Sequence, residues 1–588
     1  MGFWRMFSAA LLAFVTGFVM LVLFVLLLFS ALVATLSIEK PVSIKDASIL
    51  HLNLNYEIPE QTHYDPIAEF SWSGLEPRVT VGLYDIISAI SHAQQDERIK
   101  GIYLNCGFVG AGMATVEQLR QALEQFRSSG KFVIAYSEIY TEKGYYLSSV
   151  ADQVFINPRG ALEFNGISVQ YLFFRRLLEK LGVEPQVFYA GRYKTASEPF
   201  RLDSMSAANE EMTRWLLDDL YSGMLQGIST SRGLSVSELD SISQHFSART
   251  PTLAVRFGLV DSLMFDDQVR AHLRQLLRLP DSVALPLVSL TDYVSVAEQN
   301  QPVTTTRVAL LFAQGDIVDG RGTRTSIGSA RYADLLRKLR EDSRIKAIVF
   351  RINSGGGSAL ASDVIAREVR ITAEKKPVVV SMGDVAGSGG YYIAAYGSRI
   401  MAMPSTLTGS IGVFGVFPNT EKLFKDKLGI TFDRVNTGKY SDFGDASRPL
   451  REDEKLIMQQ IVDSVYRTFL TVVSEGRRLP LNQVDSVGQG RVWTGRQALK
   501  HGLIDSLGTL PDAIHLAASL AQVKEYRVTQ YPEIDRDVLR LIENLAQKRE
   551  AFSLRRKLGS AYSVFAQIEQ LVSMTGLQAR MWALPIVN

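Results

Sequence analysis

Pro404-Ser405-Thr406-Leu407-Thr408-Gly409-Ser410-Ile411-Gly412-Val413-Phe414-Gly415 sets one hydroxyl between two glycines after an apolar stretch. Ser410 is the candidate nucleophile, although a serine in such a turn ordinarily does no more than shape it. Nucleophilic use of a serine requires a base, donors for the oxyanion and a positioned substrate. Histidine is the usual base, but His51, His63, His92, His245, His272, His501 and His515 all lie outside any recognisable catalytic motif. No Gly-x-Ser-x-Gly elbow occurs, and Ser388 fails that pattern because Ala386 holds the first glycine position. An α/β-hydrolase site is therefore disfavoured.

Lysine serves as a base when burial away from other cations keeps it neutral. Lys194 lies in Val187-Phe188-Tyr189-Ala190-Gly191-Arg192-Tyr193-Lys194-Thr195-Ala196-Ser197-Glu198-Pro199-Phe200, with aromatic residues on both sides. Those residues by themselves favour a plainer reading, a surface lysine paired with Glu198. Oxyanion donors are expected from Arg351-Ile352-Asn353-Ser354-Gly355-Gly356-Gly357-Ser358, where a strand runs into three glycines. Backbone N–H groups of Gly356 and Gly357 would approach a reacting carbonyl there, with support from a helix beginning near Leu360. A phosphate loop would use glycines similarly, but no Gly-x-x-x-x-Gly-Lys-Ser/Thr is present. The second glycine turn, 383–392, offers the N–H of Gly389, and Ser388 within it is a rival nucleophile.

The elements that must hold these residues come twice. Asp96-Glu97-Arg98-Ile99-Lys100-Gly101-Ile102 is echoed by Asp342-Ser343-Arg344-Ile345-Lys346-Ala347-Ile348, and Gly144-Tyr145-Tyr146 by Gly390-Tyr391-Tyr392, each pair 246 positions apart. Pro158 and Pro404 keep that spacing, whereas Gly191-Arg192-Tyr193 and Gly438-Lys439-Tyr440 lie 247 apart, which implies one inserted residue. Two copies of one domain follow. In the second copy, strands are expected over 308–312, 347–352 and 377–382, with helices over 332–339, 361–373 and 391–395. Short apolar strands alternating with helices indicate an α/β fold with largely parallel strands.

Length and composition agree with a multidomain chain. With 588 residues, 46% hydrophobic and 21% charged, it is globular, and a net charge of +2 gives no reason to expect nucleic-acid binding. The single cysteine, Cys106, excludes an intrachain disulfide and any Cys-based zinc site, and is expected to be a small buried apolar residue. No charge interrupts residues 6–38, and a signal peptide would have a shorter apolar region than the 9–36 core; Ala31-Leu32-Val33-Ala34 is also a poor cleavage match. A retained anchor over 1–38 is expected. Arg5 and the amino terminus face Lys40 and Lys45 across it, so charge does not decide its orientation. The remaining expected boundaries are a tether over 39–70, a first repeat over 71–300, a second over 301–530 after the polar stretch 297–306, and a tail over 531–588 with helical spacing at 535–545 and 561–572.

Asn-Ser-x-Gly-Gly-Ser at 353–358, Ser-Gly-Gly-Tyr-Tyr at 388–392, Leu-Thr-Gly-Ser-Ile-Gly at 407–412 and Gly-Arg-Tyr-Lys at 191–194 together resemble the signal peptide peptidase A (protease IV) family in its long, tandem-domain, membrane-anchored form. The resemblance covers nearly the whole chain apart from the tail. It implies two tandem Clp-protease/crotonase-like domains and a serine–lysine dyad, with Ser410 as nucleophile and Lys194 as general base. It further implies hydrolysis of cleaved signal peptides without metal or cofactor, by a homo-oligomer, a tetramer for instance, on the periplasmic side of a bacterial inner membrane. The family usually has proline where Gly355 stands, which bears on the rigidity of that loop.

Aligning the repeats sets Phe164 against Ser410 and Ser441 against Lys194, so each copy keeps half of the dyad. A complete site needs a first copy meeting a second, in one chain or between chains. The rival functions are a crotonase-like acyl-thioester enzyme and a degenerate membrane scaffold.

Overall fold

The computed structural model of the chain describes residues 2–36, 44–65, 78–280, 282–533 and 577–581. The expected tail helices at 535–545 and 561–572 lie outside these residues. Two compact units separate at Lys45 and Asp46. The first carries the helix Phe3–Leu36, whose segment Met6–Phe24 is long and apolar enough to cross a membrane.

The second unit contains the repeat as a repeat of topology. In the first copy, Ser48–Asn53, Ile99–Asn105, Phe132–Tyr140, Gln153–Leu162 and Ser262–Leu263 pair in parallel succession, with Leu287–Ser289 on the far edge. In the second, Arg307–Gln314, Ile345–Ser354, Val378–Gly387, Arg399–Ala402 and Ser506–Leu507 follow the same order, with Arg527–Tyr531 on the edge. Helices cover these sheets, which is why strands such as Ile345–Ser354 are Val/Ile-rich and buried along almost their whole length. The one-residue insertion is absorbed locally: the helix Arg175–Leu181 of the first copy corresponds to Leu423–Leu428 in the second, which is wound as a π-helix.

Two expectations change. Ser48–Asn53, read as tether, is a buried strand and the counterpart of Arg307–Gln314. Its short buried run was masked by the polar and proline-containing residues around it. Of the polar stretch 297–306, the first residues complete the helix Leu290–Gln299, and the chain runs without regular structure only from Asn300 to Thr306.

A third sheet draws on both copies. Its order is Ser326–Gly328, Asp316–Val318, Gly356–Ser358, Leu577–Arg580, Val413–Asn419 and Glu184–Ala190. Glu184–Ala190 belongs to the first copy by sequence, yet it pairs antiparallel with Val413–Asn419 over its whole length and buries Phe188 and Ala190 in the second copy's core. Polar contacts also join the copies: Asp384 accepts from the Gly112 and Thr115 backbone N–H groups, and Ser405 Oγ donates to Glu117 at 2.6 Å.

Candidate active site

The crossing strand decides where Lys194 goes. After Ala190 the chain turns at Gly191, with φ of +109°, and Tyr193 N–H donates to the Gln489 carbonyl at 2.7 Å. The Lys194 backbone then lies against Gly490, where a Cβ would stand 2.4 Å from Lys194 N, so only glycine permits this approach. The side chain enters the second copy and ends between its two candidate serines. Lys194 Nζ is 2.8 Å from Ser388 Oγ, 3.1 Å from Ser410 Oγ and 3.2 Å from the Ser410 carbonyl oxygen.

This geometry suits a neutral amine. The amine has two N–H donors and one lone pair. The Ser410 carbonyl only accepts, and takes one N–H. Ser388 Oγ donates toward the Gly412 carbonyl at 3.4 Å and so accepts the other. The lone pair is left for the Ser410 hydroxyl proton. Lys194 is 2% exposed, and burial alone holds its pKa well below the ordinary lysine value. Glu198 does not pair with it: its carboxylate accepts from Ser206 Oγ and Asn209 Nδ2, and the surface ion-pair reading is excluded.

Both serines have left-handed backbone, φ of +49° at Ser410 and +53° at Ser388, which costs about 1–3 kcal/mol for a residue with a side chain. Backbone pairing holds them there. Ser410 N–H donates to the Arg491 carbonyl at 2.7 Å, and Ser388 N–H to the Gly409 carbonyl at 2.8 Å. Arg491 is fixed in turn by the faces of Tyr193, Trp215 and Trp493, at 3.8, 5.0 and 5.1 Å.

The glycine turns meet beside the serines. Gly356 has φ of +102°, and a Cβ on it would stand 2.7 Å from Gly389 N and 2.1 Å from the Ala579 carbonyl oxygen. Two of the expected oxyanion residues, Gly356 and Gly389, are thus neighbours, whereas Gly357 packs on the Ile317 backbone. The supporting helix is Ala359–Ala373, capped by Ser358 Oγ. Arg351 and Asn353, just before the turn, are tied to buried Glu60: Arg351 Nε donates to it at 2.8 Å and Asn353 Nδ2 at 2.9 Å.

The strand Leu577–Arg580 runs antiparallel to both Gly356–Ser358 and Val413–Asn419 and fills the gap between them. Met581 N–H donates to the Gly355 carbonyl at 2.6 Å. Met581 and Ser410 share a pocket whose apolar wall includes Tyr171, Tyr193, Met212, Leu216, Leu407 and Val492. Sequence reasoning missed this wall, because its members come from distant segments of both copies and carry no motif. It also weighed Ser388 only as a rival nucleophile. Phe164, in Ser410's place in the first copy, is buried against Tyr145, and Ser441, in Lys194's place, is exposed.

The model for peptidase family S49 matches residues 125–279 and again 370–524. The chain is 37% identical over 462 residues to Protease 4 of Salmonella typhi, covering 77% of this chain and 74% of that one. It is 34% identical over 496 residues to the chloroplastic serine protease SPPA of Arabidopsis thaliana, covering 83% and 72%. A solved ClpP1 mutant from Listeria monocytogenes is similar at 15% identity and a TM-score of 0.24, over 35% of this chain and 94% of that one.

Proposed function

The chain belongs to peptidase family S49 and is a serine peptidase, and from that premise we propose that Ser410 and Lys194 form its catalytic dyad, with cleaved signal peptides and similar apolar peptides as substrates. The observation that carries this reading is the buried Lys194 amine, 3.1 Å from Ser410 Oγ and, among the described residues, with no carboxylate partner. Lys194 takes the Ser410 hydroxyl proton as Oγ attacks the peptide carbonyl. The N–H groups near Gly356 and Gly389 receive the oxyanion, with Gly357 completing the turn. Protonated Lys194 then gives its proton to the leaving amine, and water, activated by the same amine, releases the acyl group. Ser388 is a positioning residue that holds Nζ through its hydroxyl.

Substrate would pair with Gly356–Ser358 along the edge that Leu577–Arg580 holds in this structure, displacing that strand, with an apolar side chain in the pocket that Met581 reaches. The helix Phe3–Leu36 would anchor the peptidase to the bacterial inner membrane with its bulk on the periplasmic side, and the chain would work as a homo-oligomer.

Hydrolysis of a synthetic signal peptide by the detergent-solubilised chain tests the reading. Ser410→Ala and Lys194→Ala should each lose at least about a thousandfold in kcat/KM. Ser388→Ala should lose only about five- to tenfold, the worth of one neutral hydrogen bond. Full activity in Ser410→Ala, or complete loss confined to Ser388→Ala, would move the nucleophile to another residue. A wild type that cleaves no peptide would favour thioester chemistry or a scaffold.

A further inference from the structure

The strand Leu577–Arg580 lies where a bound peptide would lie, so its side chains show what the surrounding surface takes. It runs antiparallel to Gly356–Ser358, with Arg580 opposite Gly356 and Ala579 opposite Gly357. Side chains alternate along a strand, so Arg580 and Met581 leave on opposite faces. Met581 reaches the apolar pocket that Ser410 lines. Arg580 goes the other way, and its guanidinium meets the Asp316 carboxylate at 2.6 Å.

The sheet is laid out so that this ion pair can form. Asp316–Val318 is the strand on the far side of Gly356–Ser358, and the parallel register sets Ile317 beside Gly357. Asp316 therefore falls in line with Gly356 and Arg580, two strand spacings, or about 9–10 Å, from the arginine backbone. Only a long side chain spans that gap. Gly356, between the two, carries no side chain to block the way. The Arg580 side chain is 12% and that of Asp316 39% exposed, so the pair is partly shielded from water. A cation followed by an apolar residue is also the order in which a signal peptide passes from its basic amino-terminal segment into its apolar one.

We propose that Asp316 is a specificity-determining residue, which takes an arginine or lysine side chain from the substrate residue immediately before the one in the Ser410 pocket. A signal peptide is then held at the border where its basic segment gives way to its apolar one. Arginine is the better fit, because its guanidinium reaches further than the lysine ammonium and offers more N–H donors to a carboxylate. Leu577–Arg580 occupies the subsite until a substrate displaces it. The proposal deepens the peptide-substrate reading above and rests on it for the class of ligand, not for the residues that carry out the hydrolysis.

Peptide binding to the full chain in detergent, read by fluorescence polarisation, tests the subsite. The chain carries Lys194→Ala throughout, so that no probe is consumed. The probe is labelled Leu-Gln-Ala-Arg-Met-Trp-Ala-Leu, the sequence of residues 577–584, with copies that have Lys, Ala or Glu in place of the arginine. The arginine peptide should bind about five- to tenfold more tightly than the glutamate peptide, a modest attraction set against a modest repulsion at a partly exposed pair. Lysine should fall between arginine and alanine. The chain's own strand competes with every peptide alike, so it cancels from these ratios. Adding Asp316→Asn should bring the arginine-to-glutamate ratio to about two or less, and Asp316→Lys should invert it. Salt at about 1 M, where the Debye length is about 3 Å, should shrink the ratio while Asp316 is present. Arg580→Glu sets the chain's own strand against Asp316 and should raise affinity for the arginine peptide about threefold or more. Equal Kd for the arginine and glutamate peptides, a ratio that survives Asp316→Asn, or unchanged affinity in Arg580→Glu overturns the proposal. Hydrolysis assays with Lys194 restored report separately on the dyad, since no binding ratio depends on turnover.

Discussion

At the scale of the residue, the proposed chemistry depends on an amine whose proton affinity burial lowers. Because the pKa of Lys194 in the folded chain lies well below its unfolded value, the unfolded chain binds the extra proton between those two values. The lysine therefore lowers stability there, and that deficit disappears as pH rises from the lowered folded value towards the ordinary 10.5. Lys194→Met should remove activity, raise neutral-pH Tm and flatten this rise. Each kcal/mol regained should raise Tm by about 2–4 °C in a domain of 150–250 residues. Peptide hydrolysis by the wild type should increase with pH through the lowered pKa. Thermal melts and rate profiles across pH check both, and a Lys194→Met variant that melts lower at neutral pH would contradict the burial argument.

At the scale of the element, the turn at Gly356, proposed to receive the oxyanion, is held from behind by an ion pair between the second copy's Arg351 and the first copy's Glu60. Glu60 and Arg351 are 3% and 1% exposed, and the Arg351 guanidinium also donates to the Met382 carbonyl at 2.7 Å. Removing one member leaves the other charge buried and unpaired, at a cost of about 3–5 kcal/mol. Glu60→Ala should show that loss in denaturant melts, and kcat should fall because Asn353 and the turn to Gly356 lose their support. The double variant Glu60→Leu/Arg351→Leu should recover much of the stability, since neither charge then remains buried. A Glu60→Ala melt within about 0.5 kcal/mol of wild type, the range of an ordinary surface change, would show that the pair does not hold the turn.

At the scale of the whole molecule, one chain contains one complete serine–lysine arrangement, made where the first copy's strand crosses into the second copy's sheet. Mixing Ser410→Ala chains with Lys194→Ala chains should therefore restore no hydrolysis, even after joint refolding. Recovery to about a quarter or more of wild-type activity would mean that dyads form between chains.

The amino-acid sequence by itself determined the repeat, the α/β alternation, the apolar anchor and the residue types at the dyad, because each is a local pattern: a fixed spacing, a run of apolar residues, a hydroxyl between glycines. It determined also that neither copy is complete, since Phe164 has no nucleophilic atom and Ser441 is not a base. Only the tertiary structure decided that Lys194 is buried and not paired with Glu198, because desolvation depends on what packs around the amine. Tertiary structure likewise made Ser388 a partner of that amine, turned residues 48–53 from tether into core strand, and brought Leu577–Arg580 beside Gly356. In each case the deciding contact joins segments far apart in the chain, and spacing along a sequence carries no record of such a contact.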